Sequence, residues 1–272
     1  MALPFKELRE AALCLLVECD PGIKAGQTIA LAKAWAEGGI TLDTVAQLLP
    51  SAPIPGRPAH PILLPPKDVA RRAMHTPEGR AIAIHALTHI EFNAINLALD
   101  AIWRFADMPH DYYADWLKVA AEEALHFSLL AAHLQRLGYA YGDFSAHNSL
   151  WEMTEKTVGD VLARMALVPR TMEARGLDAS PPMRAKLAQA GDAEAAAILD
   201  IILRDEIGHV AVGNRWYAFL CAQRGLEPVS TYRQLSRHYK APIVRGPFNL
   251  AARRAAGFSE ADLADLLSAA QS

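Results

Sequence analysis

Glu123-Ala124-Leu125-His126 and Glu206-Ile207-Gly208-His209 repeat one short word, Glu-x-x-His, in the two halves of the chain. On a helix, the i, i+3 spacing puts a carboxylate and an imidazole on the same face. Each word has a lone glutamate upstream: Glu91 lies 32 residues before Glu123, and Glu173 lies 33 before Glu206. A helical bundle that folds these segments inward gathers four carboxylates and two imidazoles. That is the ligand set of a carboxylate-bridged dinuclear metal site. Mixed oxygen and imidazole donors suit iron or manganese and do not suit a thiolate-selecting metal.

For the six residues to meet, each lone glutamate must reach the depth of its partner word by an antiparallel hairpin. The midpoint of Glu91 and Glu123 is Asp107, beside Met108-Pro109, and the midpoint of Glu173 and Glu206 falls next to Gly191-Asp192. Both are turn signals. Thr76-Pro77-Glu78 reads as a helix start, with Thr as N-cap and Pro at the first helical position. The helix that follows runs to about Phe105 and is apolar nearly all round, which suits the middle of a domain. Glu91 lies on its stripe of Ile84, Leu87, Thr88, Ile95 and Ala98. A carboxylate pointed into packing needs a partner or a proton, and metal ligation is one remedy. Surface glutamates, the ordinary alternative, sit poorly with such apolar flanks.

The second helix spans about 111–137 and stops at Gly138, with a loop over 138–148. A third region runs from about Ser149 to Arg175, broken near Thr157-Val158-Gly159 and bent by Pro169, four residues before Glu173. The fourth starts after Asp192 and continues to about Arg224. Short helices are expected at 4–19, 24–49, 230–240 and 259–269. Residues 50–66 hold seven prolines, so this stretch is an extended connector that packs on the bundle through Ile54, Ile62, Leu63 and Leu64. The domain reading is thus N-terminal helices over 1–49, a Pro-rich connector over 50–75, a dimetal four-helix bundle over 76–226, and a basic C-terminal extension over 227–272.

Composition agrees with an all-α chain: 52% of the 272 residues are hydrophobic and only 7% aromatic. A net charge of −3 gives no global case for nucleic acid or membrane binding. The three cysteines, Cys14, Cys19 and Cys221, lack zinc-like spacing and read as reduced, mostly packing thiols. No apolar run reads as a membrane span and no signal sequence opens the chain, so a cytoplasmic protein without a membrane partner is expected.

The ligand pattern resembles the ferritin-like diiron carboxylate superfamily, across roughly residues 76–226 and including the Asp-Glu-x-x-His form at Asp205-Glu206-Ile207-Gly208-His209. More closely, the chain looks like an uncharacterised bacterial ferritin-like family, related in layout to the tRNA hydroxylase MiaE. His85-Ala-Leu-Thr-His89-Ile-Glu91, Glu173-Ala-Arg-Gly-Leu-Asp178 and Asp205-Glu-Ile-Gly-His-Val210 carry that likeness. The resemblance implies a ferritin-like four-helix bundle with extra terminal helices. It also implies two iron ions, one served by Glu123 with His126 and the other by Glu206 with His209, with Glu91 and Glu173 completing or bridging the pair. Iron proteins of this pattern bind and reduce dioxygen. Metal-bound histidines usually donate their other ring N–H to an acid or carbonyl, and Asp205 and Glu122, each just before a ligand glutamate, are the candidate acceptors.

The function so implied is a dioxygen-activating oxidoreductase of hydroxylase or oxygenase type, on a small organic substrate, with an unidentified electron donor and a small homo-oligomer. The alternatives are iron oxidation and storage, a dimanganese catalase, a tRNA-modifying hydroxylase, and a helical scaffold whose metals only hold the fold. His85 and His89 are spaced i, i+4 like a zinc pair, but His89 is about 200° from Glu91 around the helix, so both read as core histidines; His133 reads likewise. Met165, Ala166, Pro169 and Met172 are candidates for an apolar pocket near the metals, or plain core. Arg233, Arg237, Lys240, Arg245, Arg253 and Arg254, with no acid between Pro228 and Ser259, make RNA a minor candidate partner beside a solvated surface or a subunit contact.

Overall fold

Thr76 accepts a hydrogen bond from the Gly79 N–H and Pro77 provides the first helical residue, so the long central helix starts where its sequence says it should. A computed structural model of the chain describes residues 5–69 and 73–270; residues 1–4, 70–72 and 271–272, which fall in the expected N-terminal, connector and C-terminal segments, lie outside the described residues. Among the described residues every regular element is helical, and the only β features are isolated bridges, so the fold is all-α. Packing divides the chain into two units, 1–148 and 149–272.

The first unit holds α1 (Leu8–Val17), α2 (Pro21–Ala36), the Pro-rich connector, α3 (Pro77–Arg104) and α4 (His110–Arg136). α3 and α4 form a hairpin, with α1 packed on α3 and α2 on α4. Its turn is held by Tyr113, whose hydroxyl donates to Phe105 O at 2.9 Å and accepts from the Met108 N–H at 3.2 Å. Buried Arg9 closes the C-terminal end of α3, donating to Trp103 O at 2.9 Å and to Ala46 O at 2.9 Å. The connector is built into the unit: Gly56 N–H donates to Leu16 O, and Leu63 bridges Ala146 of the loop after α4. α2 ends at Ala36, well short of the expected 49, because Gly38-Gly39 end the helix and Thr41 then turns back to pair with Lys6. α3 corrects only the reading that no apolar run is long enough to span a membrane. Its length and mean hydropathy of 1.2 would let it cross a bilayer, but 78% of that window is buried, as in a core helix. Cys14 and Cys19 are exposed and only Cys221 is buried, so packing accounts for one thiol of three.

Lys24 ties these pieces together. Fully buried, it donates to Gly56 O at 2.9 Å, Leu16 O at 3.4 Å and Asn96 Oδ1 at 2.5 Å, over the Phe92 ring at 4.9 Å. Burial pushes its ammonium down to about 7. Between that value and 10.5, the ordinary lysine value, the unfolded chain binds more protons than the folded one. Stability therefore rises with pH across that window. Lys24→Met removes all three bonds, leaving Leu16 O only its bond from the Gly56 N–H, and should cost roughly 2–4 kcal/mol. Urea melts of both proteins should show the gap widening between pH 7 and pH 9; a constant gap would mean that Lys24 stays fully charged.

The second unit holds α5 (Ser149–Lys156), α6 (Val161–Leu167), a π-helical turn (Val168–Glu173), α7 (Ala174–Gln189), α8 (Ala193–Gln223), α9 (Pro228–His238), α10 (Leu250–Ala255) and α11 (Glu260–Ala269). α7 and α8 form a hairpin whose turn needs Gly191 at φ 84°, with Asp192 capping α8. α7 runs well past the expected Arg175, through Pro181-Pro182. Pro181 cannot donate to Leu177 O, and the Asn249 side chain does so instead at 3.3 Å. Asn249 opens α10, a helix the sequence pattern did not suggest.

Candidate metal centre

In the first unit, α3 and α4 bring Glu91, Glu123 and His126 together. All three are buried, at 3%, 0% and 0% exposure. His126 Nδ1 lies 3.3 Å from Glu91 Oε2 and 3.3 Å from Glu123 Oε2. One ligand atom from each of the three lies within 4.8 Å of the others, a spacing that one metal ion can span. Burial, and then the charge of Glu123, pushes Glu91 up to about 8. Burial alone would lower His126, but its hydrogen bonds to Glu123 and Glu91 outweigh that and raise it to about 12. Without metal, the imidazolium is thus the cation that offsets this buried carboxylate pair. Two oxygen donors and one imidazole converging in a dry interior fit a hard or borderline divalent ion.

In the second unit, Glu206 and His209 lie on one face of α8, with His209 Nδ1 4.0 Å from Glu206 Oε2, and both are buried. Glu173, 8% exposed, is the last residue of the π turn. Gly176, one turn into α7, sits against the Glu206 carboxyl: a Cβ there would lie 3.9 Å from Glu206 Cδ. The bend expected at Pro169 is this π turn. Pro169 has no N–H for the preceding turn, and its carbonyl accepts from the Ala174 N–H, five residues on. Thr171 Oγ1 donates to Ala166 O at 2.8 Å, bonding a carbonyl at the end of α6. Such π turns are frequent at functional sites, and this one ends on Glu173.

α8 reaches the turn only because residue 213 is glycine; a Cβ there would fall 2.5 Å from Pro169 Cβ. Gly213→Ala should therefore displace the turn that carries Glu173 and cost roughly 1–3 kcal/mol. Thermal melts with and without manganous ion should show a smaller metal-induced gain than in the parent; an unchanged melt would mean that the turn yields freely.

Of the two proposed outer acceptors, half-buried Asp205 receives the Arg204 guanidinium at 2.7 and 2.9 Å, and half-buried Glu122 pairs with Lys118 at 3.7 Å. His85 and His89, on α3, bond the loop after α4. The Gly142 N–H donates to His85 Nε2 at 2.9 Å, and His89 Nδ1 bonds the Tyr141 hydroxyl at 2.8 Å. Burial lowers them to about 4 and about 3, so both are neutral core histidines. His133 is buried on α4. Met165, Ala166, Pro169 and Met172 are all buried in the second unit. Asp178, in the Glu173–Asp178 word, holds α10 through the Asn249 N–H at 2.8 Å and Arg253 at 2.6 Å. Pattern reading missed Arg170, 5% exposed, which pairs with Asn214 and Asp262; an arginine two residues before Met172 in an apolar run was the only clue.

No solved structure matches the chain. A Haemophilus influenzae protein, named only as uncharacterized, is 49% identical over 231 residues, covering 82% of this chain and 80% of that one. One family model, described as "Protein of unknown function (DUF455)", matches residues 17–264. With nearly the whole length matched, the chain belongs to the DUF455 family.

Proposed function

We propose that the two half-sites, Glu91–Glu123–His126 and Glu173–Glu206–His209, serve one two-metal centre in a ferritin-like four-helix bundle, and that the protein is an oxidoreductase. The observation that carries this reading is the convergence of two buried carboxylates and an imidazole within a single packed unit. The near-equal spacing of Glu and Glu-x-x-His in both halves is what supports joining them. Two iron ions held there, with manganese as the alternative, would supply dioxygen activation for the oxidation of a small organic molecule, with electrons from a separate donor. The chain's own part is to hold and to exclude. Glu91 and His126 give up protons when the site fills. Phe92, Ile95, Phe127 and Leu130, all buried on α3 and α4, keep the surroundings dry. The protein is proposed as cytoplasmic, in a small oligomer.

Metal analysis of protein from iron-supplemented cells should give about two irons per chain, with near-ultraviolet absorption bands of an oxo-bridged pair and dioxygen uptake after reduction. Assembly into a large cage taking up far more iron would replace the oxygenase reading with storage. Rapid peroxide turnover by a manganese form would replace it with a catalase.

A further inference from the structure

The second unit contains a cavity of about 660 Å³ whose lining includes none of the six Glu/His residues, within the range of small-molecule sites. It is lined by the π turn, α9, the segment after α9, and α11. At its wall lies Arg170, 5% exposed, with the rings of Phe258, Tyr217 and Tyr232 at 4.7, 4.9 and 5.4 Å from its guanidinium carbon. Its Nη1 donates to Asn214 Oδ1 at 2.6 Å and its Nη2 to Asp262 Oδ1 at 2.5 Å. Its Nε–H is buried with no acceptor among the described residues, and so is the hydroxyl of Ser236, also in the lining. Two buried polar groups without partners beside a cavity are an invitation to a hydrogen-bonding ligand.

The charges say which ligand. Arg170 is paired with Asp262, Arg233 with Asp265, and Arg253 with Asp178. Arg237 and Lys240 also line the cavity and have no acid partner among the described residues. Two uncompensated cations match a dianion. Lys240 carries a further sign. Ala241 N–H bonds Ser236 O at the end of α9, and Lys240 takes the left-handed position, φ 52°, that glycine fills most easily. The chain keeps a long cation where its backbone favours no side chain. Pro242, Ile243, Val244 and Leu266 supply an apolar part of the lining.

We propose that this cavity binds a small phosphate monoester, with its phosphate against Arg237 and Lys240 and its organic body on the apolar part of the lining. A phosphomonoester carries about −1.5 to −2 at neutral pH and offers three acceptor oxygens, whereas a carboxylate leaves one cation unanswered. An extended RNA surface is less favoured, because three of the six basic residues between Pro228 and Ser259 (Arg233, Arg253 and Arg254) are already ion-paired.

The test is titration calorimetry on the full-length, metal-free protein with phenyl phosphate, AMP, inorganic phosphate and benzoate. Omitting metal keeps this result separate from the metal reading, which stands or falls on its own. Phenyl phosphate or AMP should bind at least about tenfold tighter than inorganic phosphate or benzoate. Arg237→Gln and Lys240→Gly should each weaken that binding about tenfold or more. Lys240→Gly relieves the left-handed backbone, so its melting temperature should be no lower than the parent's, and lost binding cannot be laid to unfolding. Absence of binding by both phosphate esters would overturn the proposal. So would benzoate binding as tightly, unchanged affinity in both variants, or tight binding of an RNA oligonucleotide that AMP does not compete.

Discussion

Glu123→Gln should remove the thermal stabilisation that ferrous or manganous ion confers, and leave the metal-free melting temperature within about 3 °C of the parent. A ligand at 100 times its dissociation constant stabilises by about 2.7 kcal/mol. For a protein of this size that is roughly 5–10 °C. An amide oxygen carries no charge, so affinity should fall by more than the roughly 10–100-fold typical of losing an outer hydrogen bond, and the gain shrinks to about 1–2 °C. The metal-free protein is spared for a reason visible in the triad. His126 lies 3.3 Å from both Glu91 and Glu123, so Glu91 can provide the negative charge opposite the imidazolium when Glu123 is neutralised. Scanning calorimetry of both proteins, with and without metal, separates the two effects. Full metal stabilisation in the variant would remove Glu123 from the ligand set.

Metal binding at pH 7 should release between one and two protons, and affinity should rise with pH. Glu91, at about 8, holds its proton most of the time at pH 7, and His126, at about 12, holds its proton always. Both must leave before a carboxylate and a neutral imidazole can ligate. Both groups are raised above their unfolded values. The stability they contribute to the metal-free fold is therefore complete at low pH and fades as pH climbs through 8 and towards 12. Loaded protein does not hold these protons and should not lose that stability, so the metal-induced gain should be larger at pH 9 than at pH 7. Calorimetry in two buffers of different ionisation enthalpy counts the protons directly. A heat of binding independent of buffer would mean that metal, if bound, is bound elsewhere.

The all-α class, the two hairpins and the inward direction of Glu91, Glu123 and His126 were legible in the residues alone. Period and punctuation are local, and Thr76-Pro77, Met108-Pro109, Gly138 and Gly191-Asp192 act within a few residues of themselves. Burial of Glu91 followed from the apolar stripe on either side of it. These are matters of short-range geometry, which one segment of sequence decides.

What the tertiary structure decided were pairings between residues far apart in the chain. Six arginines and lysines without a nearby acid looked like a basic tail, yet Arg253 finds Asp178 from 75 residues away and Arg233 finds Asp265. The third helical region was expected to end near Arg175, yet α7 continues through Pro181-Pro182, and Asn249 takes up the Leu177 carbonyl from 72 residues away. Pro169 promised a bend, but its form as a π turn depends on Gly213 of α8 leaving room for the ring. Lys24 is buried because Gly56 and Asn96, from the connector and α3, supply acceptors for its ammonium. Local propensity sets which helices form; the partners of buried charges and freed carbonyls are set by whichever segments pack against them, and no window of sequence contains both sides of that contact.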